Sequence, residues 1–250
     1  MHVMNTSAYP GDQIVQSRKP SQAPPSPKDN LILSKLDEPA YQRFVSQLQL
    51  VSLEQKAVLF EAGSPKQQIY FPTSAVIASQ SHLADGSVID VNITGCRGML
   101  VAGPCCGTLS NESLVVRAGG LAYRLDTAAF IDTIRHDESA LMKFLSLSQT
   151  HHQKMAKNLA CGQHHSVRQR VAKFLLQFMD LLDDHQVACT HQEMADSLGV
   201  RREAVSIVLK ALDQEGILQI MRGAVKVTDR SALLSCACEC YEELLAIGSQ

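Results

Sequence analysis

Apolar and polar positions divide the chain into three textures. Between residues 31 and 53 the segment LILSKLDEPAYQRFVSQLQLVSL sets Leu36, Tyr41, Phe44, Val45 and Leu48 at helical spacing, which predicts helix through that stretch. From Gln55 to Leu125 the pattern changes to short apolar or alternating pieces: AVLFEAG, QIYFP, AVIASQS, SVIDVNI, GMLVAG, SLVVRAG and LAYRL, separated by glycines or turn pairs. Many short strands at near-regular spacing predict an antiparallel β-sandwich, roll or barrel. Asp85-Gly86 predicts a hairpin. After Asp126 the pattern is helical again, with no proline from Thr127 to about Gly162.

Within that last region Leu141, Leu145, Ser148, His152, Met155 and Leu159 recur at intervals of 4, 3, 4, 3 and 4. This is the seam of a coiled coil, weakened in the middle by Ser148 and His152. One reading is a helix lying on its own β-domain. The other, which the seam leans towards, is a helix that pairs with a second copy. His152 facing its twin would make such packing pH-sensitive, although a solvated histidine is the plainer account. A further helix, SVRQRVAKFLLQFMDLLDD, follows with Val167, Val171, Phe174, Leu175 and Phe178 on one face, and a last helix is predicted from about Arg230 to Ala246. Residues 1–28 are rich in Pro, Ser and Gln without period, the texture of a disordered tail.

The stretch THQEMADSLGVRREAVSIVLKALDQEG, residues 190–216, carries the most chemistry. Thr190 and Glu193 fit a capping box. Gly199 suits the left-handed turn between two helices. The second helix, residues 201–214, buries Val205, Val208, Leu209 and Leu212 at i, i+3, i+4 and i+7. Its opposite face carries Arg202, Glu203, Ser206, Ile207 and Lys210. Ile207 is about 200° from Val205 at ~100° per residue, so it points away from the core. A packed core has no need of that mixture, whereas a recognition helix does. Arginine pairs with guanine, a carboxylate accepts from cytosine, and an exposed isoleucine can touch a thymine methyl. ILQIMRGAVKVTD then predicts a two-stranded wing with Arg222 and Lys226 towards phosphate. Thr190, His191, Gln192 and Arg201 complete the expected DNA contacts.

Composition narrows the setting. The chain has 250 residues, 45% hydrophobic and 19% charged, with a formal net charge of −2. That balance advertises neither nucleic acid nor membrane, so DNA contact must come from a local patch. Residues 164–235 hold nine Lys/Arg against nine Asp/Glu. No apolar run reaches the ~18 residues of a membrane span, and no signal-peptide core precedes the fold. The expectation is a cytoplasmic protein whose eight cysteines are thiols. An enzyme is not expected. The β region has His82 as its only histidine, and no GxSxG, P-loop or HExxH motif occurs.

With these residues in hand, the chain resembles the Crp/Fnr family of bacterial transcription regulators over about residues 31–245. The stretches carrying the resemblance are SVRQRVAKFLL, THQEMADSLGVRREAVSIVLKALDQEGIL, LFEAG, IYFPTSAVI, DGSVIDVNITGCRGM and ESLVVRAGG. The resemblance implies an α+β fold. A cyclic-nucleotide-binding-like antiparallel β-roll sensor spans 29–126, a dimerisation helix 127–163 and a winged helix-turn-helix 164–246. It implies a homodimer reading a palindrome in double-stranded DNA, with RNA polymerase as the expected protein partner. Arg202 and Glu203 match the family's base-reading pair. Ile207 stands where the family has a second arginine, so one base preference should differ. The effector region departs further. In GPCCGTLSNESLVVRAGG, Pro104 follows Gly103 where cyclic-nucleotide binders carry Glu, and Glu112 precedes Ser113 where they carry Arg. A carboxylate there repels a cyclic phosphate, which argues against cyclic AMP and cyclic GMP. The effector is unidentified, with Gly103, Cys105, Cys106, Glu112 and Ser113 as pocket candidates. The iron-sulfur branch is not matched, since no cysteine precedes Cys96.

Thiols remain as sensor candidates. On one helix Cys236 and Cys240 would share a face while Cys238 points away, giving two metal ligands at most. Small buried residues packing a helix is the competing reading. Cys161, His164 and His165 have ligand-like spacing near a hinge, where a polar hinge is the default. The alternative function is a small-molecule or redox-sensing module with the same β-roll that does not regulate transcription.

Overall fold

The computed structural model describes residues 24–65, 67–103, 111–135 and 137–248. A 3-10 turn, Pro27–Asp29, leads into α1 (Leu31–Ser34) and α2 (Glu38–Val45). Helix therefore stops short of the residue 53 that the apolar period predicts. Gln49–Leu53 is β1 instead, paired antiparallel with β8 (Gly120–Asp126), Gln49 opposite Arg124 and Leu53 opposite Gly120. A five-residue apolar stretch is ambiguous by period alone, and the open edge of β8 decides it. Of the predicted tail, residues 1–23 lie outside the described residues.

Two four-stranded antiparallel sheets follow. One runs β1-β8-β3-β6, with β3 (Gln68–Pro72) and β6 (Leu100–Ala102). The other runs β2-β7-β4-β5, with β2 (Val58–Phe60), β7 (Glu112–Ala118), β4 (Val76–His82) and β5 (Val88–Thr94). Tyr70, Ile77, Leu100, Leu114, Val116 and Ala122 fill the space between them. β4 and β5 form the hairpin expected at Asp85-Gly86, closing at His82 opposite Val88, with Gly86 at φ 84°. At Gly120 a Cβ would lie 2.6 Å from the Ala75 nitrogen, so only glycine lets β8 pass the start of β4.

The helical region after β8 is divided into α3 (Thr127–Arg135) and α4 (Glu138–His164). Asp137 starts the second piece by accepting from the Ala140 amide, and Arg43 pairs with the same carboxylate. One edge of α4 lies on the roll: Phe144 is buried, Asn158 donates to the Val91 carbonyl (3.2 Å), and Asn92 bonds His151 (3.1 Å). Leu141, Leu145 and Leu159 on the other edge are exposed.

The C-terminal unit comprises α5 (Val167–Leu182), β9 (Gln186–Val187), α6 (His191–Leu198), α7 (Arg202–Gln214), β10 (Leu218–Met221), β11 (Ala224–Val227), α8 (Arg230–Cys236) and α9 (Cys240–Gly248). Val171, Leu175, Met194, Leu209, Leu212 and Leu233 form its core. The single last helix predicted from Arg230 to Ala246 is broken at residues 237–239. Cys236 and Cys240 thus belong to different helices and do not share a helical face.

Asp90 on β5 joins the two halves. Its side chain is only 4% exposed and takes two bonds from Arg117 of β7 (2.6 and 2.8 Å). It also accepts from Gln80 (2.9 Å) and from the Ser197 hydroxyl of α6 (2.6 Å). Lys56 pairs with Glu193 of α6 (2.9 Å), and Gln55 donates to the Ala188 carbonyl (3.0 Å). Removing one partner of a buried ion pair leaves the other charge uncompensated. Asp90→Ala should therefore cost roughly 3 kcal/mol in urea unfolding. Asp90→Asn, which keeps a hydrogen-bonding side chain for Ser197, should cost less. A loss under ~0.5 kcal/mol for Asp90→Ala would show that this junction carries no stability.

Candidate nucleic-acid interface

The two helices α6 and α7 are set by local chemistry. Thr190 Oγ1 accepts from the Glu193 amide (3.2 Å), and Glu193 Oε2 accepts from the Thr190 amide (2.8 Å), so two orphan donors of α6 are satisfied reciprocally. Gly199 ends α6 in the left-handed region at φ 60°. Val205, Leu209 and Leu212 hold α7 to the core, while Val208 is half-buried. Arg168 of α5 grips Glu215 just past α7 with two bonds (2.8 and 2.6 Å). Asp213 accepts from the Ile220 amide (3.3 Å) and so ties α7 to the wing.

The face of α7 opposite that core is open. Arg202, Glu203 and Lys210 are exposed, and Ile207 is 69% exposed. Ser206 is engaged from α6 by His191 Nδ1 (2.9 Å). Burial, and then the neighbouring Arg202 and Lys210 cations, push His191 below the usual histidine range. Arg201 occupies the N-cap position without a side-chain cap bond. Gln192 donates to Asp196 (2.7 Å). In the wing, Met221 stands opposite Ala224, so Arg222 and Gly223 make a two-residue turn, with Gly223 at φ 75°. Arg222 and Lys226 are exposed. β9 adds a third strand to this hairpin, Val187 opposite Val225. Among the described residues, Arg202, Glu203, Lys210, Arg222 and Lys226 make no side-chain hydrogen bond or ion pair within the chain. Four cations and one carboxylate therefore meet solvent around an exposed isoleucine.

A second feature lies where the roll, α4 and the C-terminal unit meet. A cavity of about 350 Å³ is lined by Glu112, Arg97, His151, Lys154, Leu181 and Tyr241, among others. Burial raises the Glu112 carboxyl, against a hydrogen bond from Ser79 that lowers it. Burial, and then Arg97, lowers the Lys154 ammonium. Of the pocket candidates from sequence, Glu112 lines this cavity. Gly103, just past β6, does not, nor does Ser113, which accepts from the Ala62 amide (3.2 Å) and bonds His82 (2.9 Å). Cys105 and Cys106 lie outside the described residues. Nothing local in the sequence marks Arg97, His151 or Lys154 as cavity residues, because they meet Glu112 only through the tertiary fold.

The seam residues Leu141, Leu145, Ser148, His152 and Leu159 are exposed on one edge of α4, and Met155 is half-buried. Cys236 accepts from Arg168 (3.3 Å), whereas Cys240 joins Cys238 and Cys161. His164 is exposed. No helix among the described residues is long and apolar enough to cross a membrane.

Residues 169–236 match the Crp-like helix-turn-helix domain. Three solved structures share the wider fold. A transcriptional regulator of the Crp/Fnr family from Eubacterium rectale is 14% identical, covers 84% of this chain and 98% of its own, and has a TM-score of 0.67. FixK2 from Bradyrhizobium japonicum is 16% identical over 76% of this chain and 98% of its own, TM-score 0.65. A CRP-family regulator from Thermus thermophilus is 20% identical over 74% of this chain and 95% of its own, TM-score 0.61. A search of curated proteins found no match.

His151 gives this region a pH signature. Burial first, then Lys154 and His152, pushes its imidazole below the usual histidine range. Its Nδ1 faces the Asn92 amide group, which suits a neutral ring. The folded state thus binds the proton less well than the unfolded state. Stability from this group is present above pH ~6.5 and is lost as pH falls through the depressed value. Urea midpoints at pH 7.5 and 5.5 should differ more for the wild type than for His151→Gln. Equal pH sensitivity in the two proteins would remove His151 as the source.

Proposed function

From a Crp-like helix-turn-helix domain on a fold shared with Crp/Fnr regulators, which together support the Crp/Fnr family, we propose a sequence-specific DNA-binding transcription regulator. The carrying observation is the outer face of α7. Arg202, Glu203, Lys210 and Ile207 stand exposed, the polar three without intrachain side-chain partners. Arg202 reads a guanine bidentately, Glu203 accepts from a cytosine amino group, and Ile207 packs on a thymine methyl. Ser206 and Lys210 add base or phosphate contacts from the same helix. His191 positions Ser206 from behind. Thr190, Gln192, Arg201, Arg222 and Lys226 contact phosphate and fix the register without specifying sequence.

The protein acts as a homodimer. The exposed edge of α4, Leu141, Leu145, Ser148, His152, Met155 and Leu159, closes on a second copy, and two α7 helices then read a palindrome. RNA polymerase is the protein it works through. Residues 29–126 sense, 127–163 dimerise and 164–246 bind DNA. An effector enters the cavity at the junction of these parts, whose volume suits a small ligand. Glu112 within it speaks against a cyclic-nucleotide phosphate, and hence against cyclic AMP and cyclic GMP. Function needs no catalysis. It needs two arrangements of the winged unit against the roll, biased by the effector. Lys56, Asp90 and Ser197 hold the arrangement seen here.

Selection of binding sites from random duplex DNA with the purified protein should enrich a palindrome. Binding that is salt-sensitive but unenriched would favour a sensing module that does not regulate transcription. On the enriched site, Arg202→Ala should cost ~1–3 kcal/mol and relax preference at one position per half-site. Uniform weakening across sequences would move Arg202 to a phosphate.

A further inference from the structure

Cys161 meets Cys238 and Cys240, which lie far along the sequence from it, at the junction of α4 and α9. The sulfurs of Cys161, Cys238 and Cys240 lie within 4.8 Å of one another, and Cys161 Sγ is 3.6 Å from Cys238 Sγ. Cys161 sits in the last turn of α4, Cys238 in the break between α8 and α9, and Cys240 opens α9. They are 1%, 4% and 3% exposed, and their cluster of buried residues contains nothing else. Thiols acting only as small hydrophobes would mix with aliphatic carbon. Here sulfur faces sulfur. Three thiolates on one tetrahedral ion, each at ~2.3 Å, stand about 3.8 Å apart, close to the 3.6 Å between Cys161 and Cys238.

A nitrogen donor is adjacent. His165, the residue that ends α4, has a ring nitrogen within 4.8 Å of the Cys240 sulfur and the Glu239 carboxylate, though not of all three sulfurs, so it approaches the cluster from the Cys240 side. Its Nε2 lies 3.3 Å from Glu239 Oε1, which leaves Nδ1 as the nitrogen free to turn towards a metal. We propose that Cys161, Cys238 and Cys240 bind a thiophilic, tetrahedral cation of the zinc type, with His165 as fourth ligand and Glu239 orienting its ring. Three S–H protons pass to solvent as three sulfur–metal bonds form, and no electron moves. The resulting centre carries one net negative charge, and Arg170 is close enough to Cys161 and Cys238 to offset it.

The position gives the ion a consequence. Residues 165 and 166 connect α4 to α5, and the ion bridges from α4 across that connection to the last helix of the winged unit. Binding fixes the angle between them, and removal frees it. The metal site stands on its own donors, whether or not the protein binds DNA.

The test uses the full chain, reduced and stripped with chelator, then titrated with Co²⁺ alone. One equivalent per chain should give sulfur-to-cobalt charge transfer and the intense visible bands of tetrahedral cobalt, both bleached by Zn²⁺. Cys161→Ser and Cys238→Ser should abolish the charge transfer. Cys236→Ser, whose sulfur faces Arg168 outside the cluster, should leave it intact. Glu239→Gln should weaken binding about 10–100-fold. The wild-type spectrum decides even if a buried variant fails to fold. A wild type without tetrahedral cobalt bands overturns the proposal. So do bands that survive in folded Cys161→Ser and Cys238→Ser.

Discussion

A buried carboxylate decides how the halves of this protein sit together. Asp90 lies in the β-roll and is neutralised there by Arg117, yet it also accepts from Ser197 in the first helix of the helix-turn-helix. Desolvating a carboxylate is costly unless each lone pair finds a donor, so Asp90 specifies this geometry over neighbouring ones. Ile89, one residue away, packs against the Gly199 turn, where an added Cβ would stand 2.7 Å from Ile89 Cδ1. The turn that sets the angle between α6 and α7 is therefore also the surface that meets the roll. Any change that shifts β5 is felt at the base of α7.

That arrangement leaves the outer face of α7 free. The contacts from the roll reach α6 and the segment before it, through Lys56, Gln55 and Asp90, while Arg202, Glu203, Ile207 and Lys210 face solvent. The cavity lies at the other end of the same junction, between β5, α4 and α9. On the proposed function, a ligand there and DNA at α7 would touch different faces of the winged unit. Linkage then follows if the two arrangements of that unit differ in affinity for both.

What was legible in the sequence was local. The capping box at Thr190 and Glu193, the left-handed Gly199, the i, i+3, i+4, i+7 face of α7 and the Arg222-Gly223 turn all lie within a few residues of their partners. Short-range physics sets each of them. The strands between residues 57 and 125 were equally visible, because most of their turns are marked by glycine. The misreadings share one cause. Gln49–Leu53 reads as more helix until β8 supplies an edge. The break at residues 237–239 has no glycine or proline to announce it; it exists because bending there buries Cys238 and Cys240 against Cys161, 77 residues away from Cys238. The bond between Asp90 and Ser197 spans 107 residues and left no trace in any window. Tertiary pairing overrides local period where the period is short or the partner distant.

If the exposed face of α7 enters a DNA groove, as proposed, Ile207 reports on it most directly. Its side chain is 69% exposed, so its methyl resonance in the free protein should be narrow and solvent-like. The decisive measurement is methyl NMR of isoleucine-labelled protein, alone and with a duplex recovered by selection. The Ile207 δ-methyl should shift strongly and gain cross-relaxation to a thymine methyl, while Ile77 in the roll stays put. An unmoved Ile207 in a saturated, sequence-specific complex would contradict it.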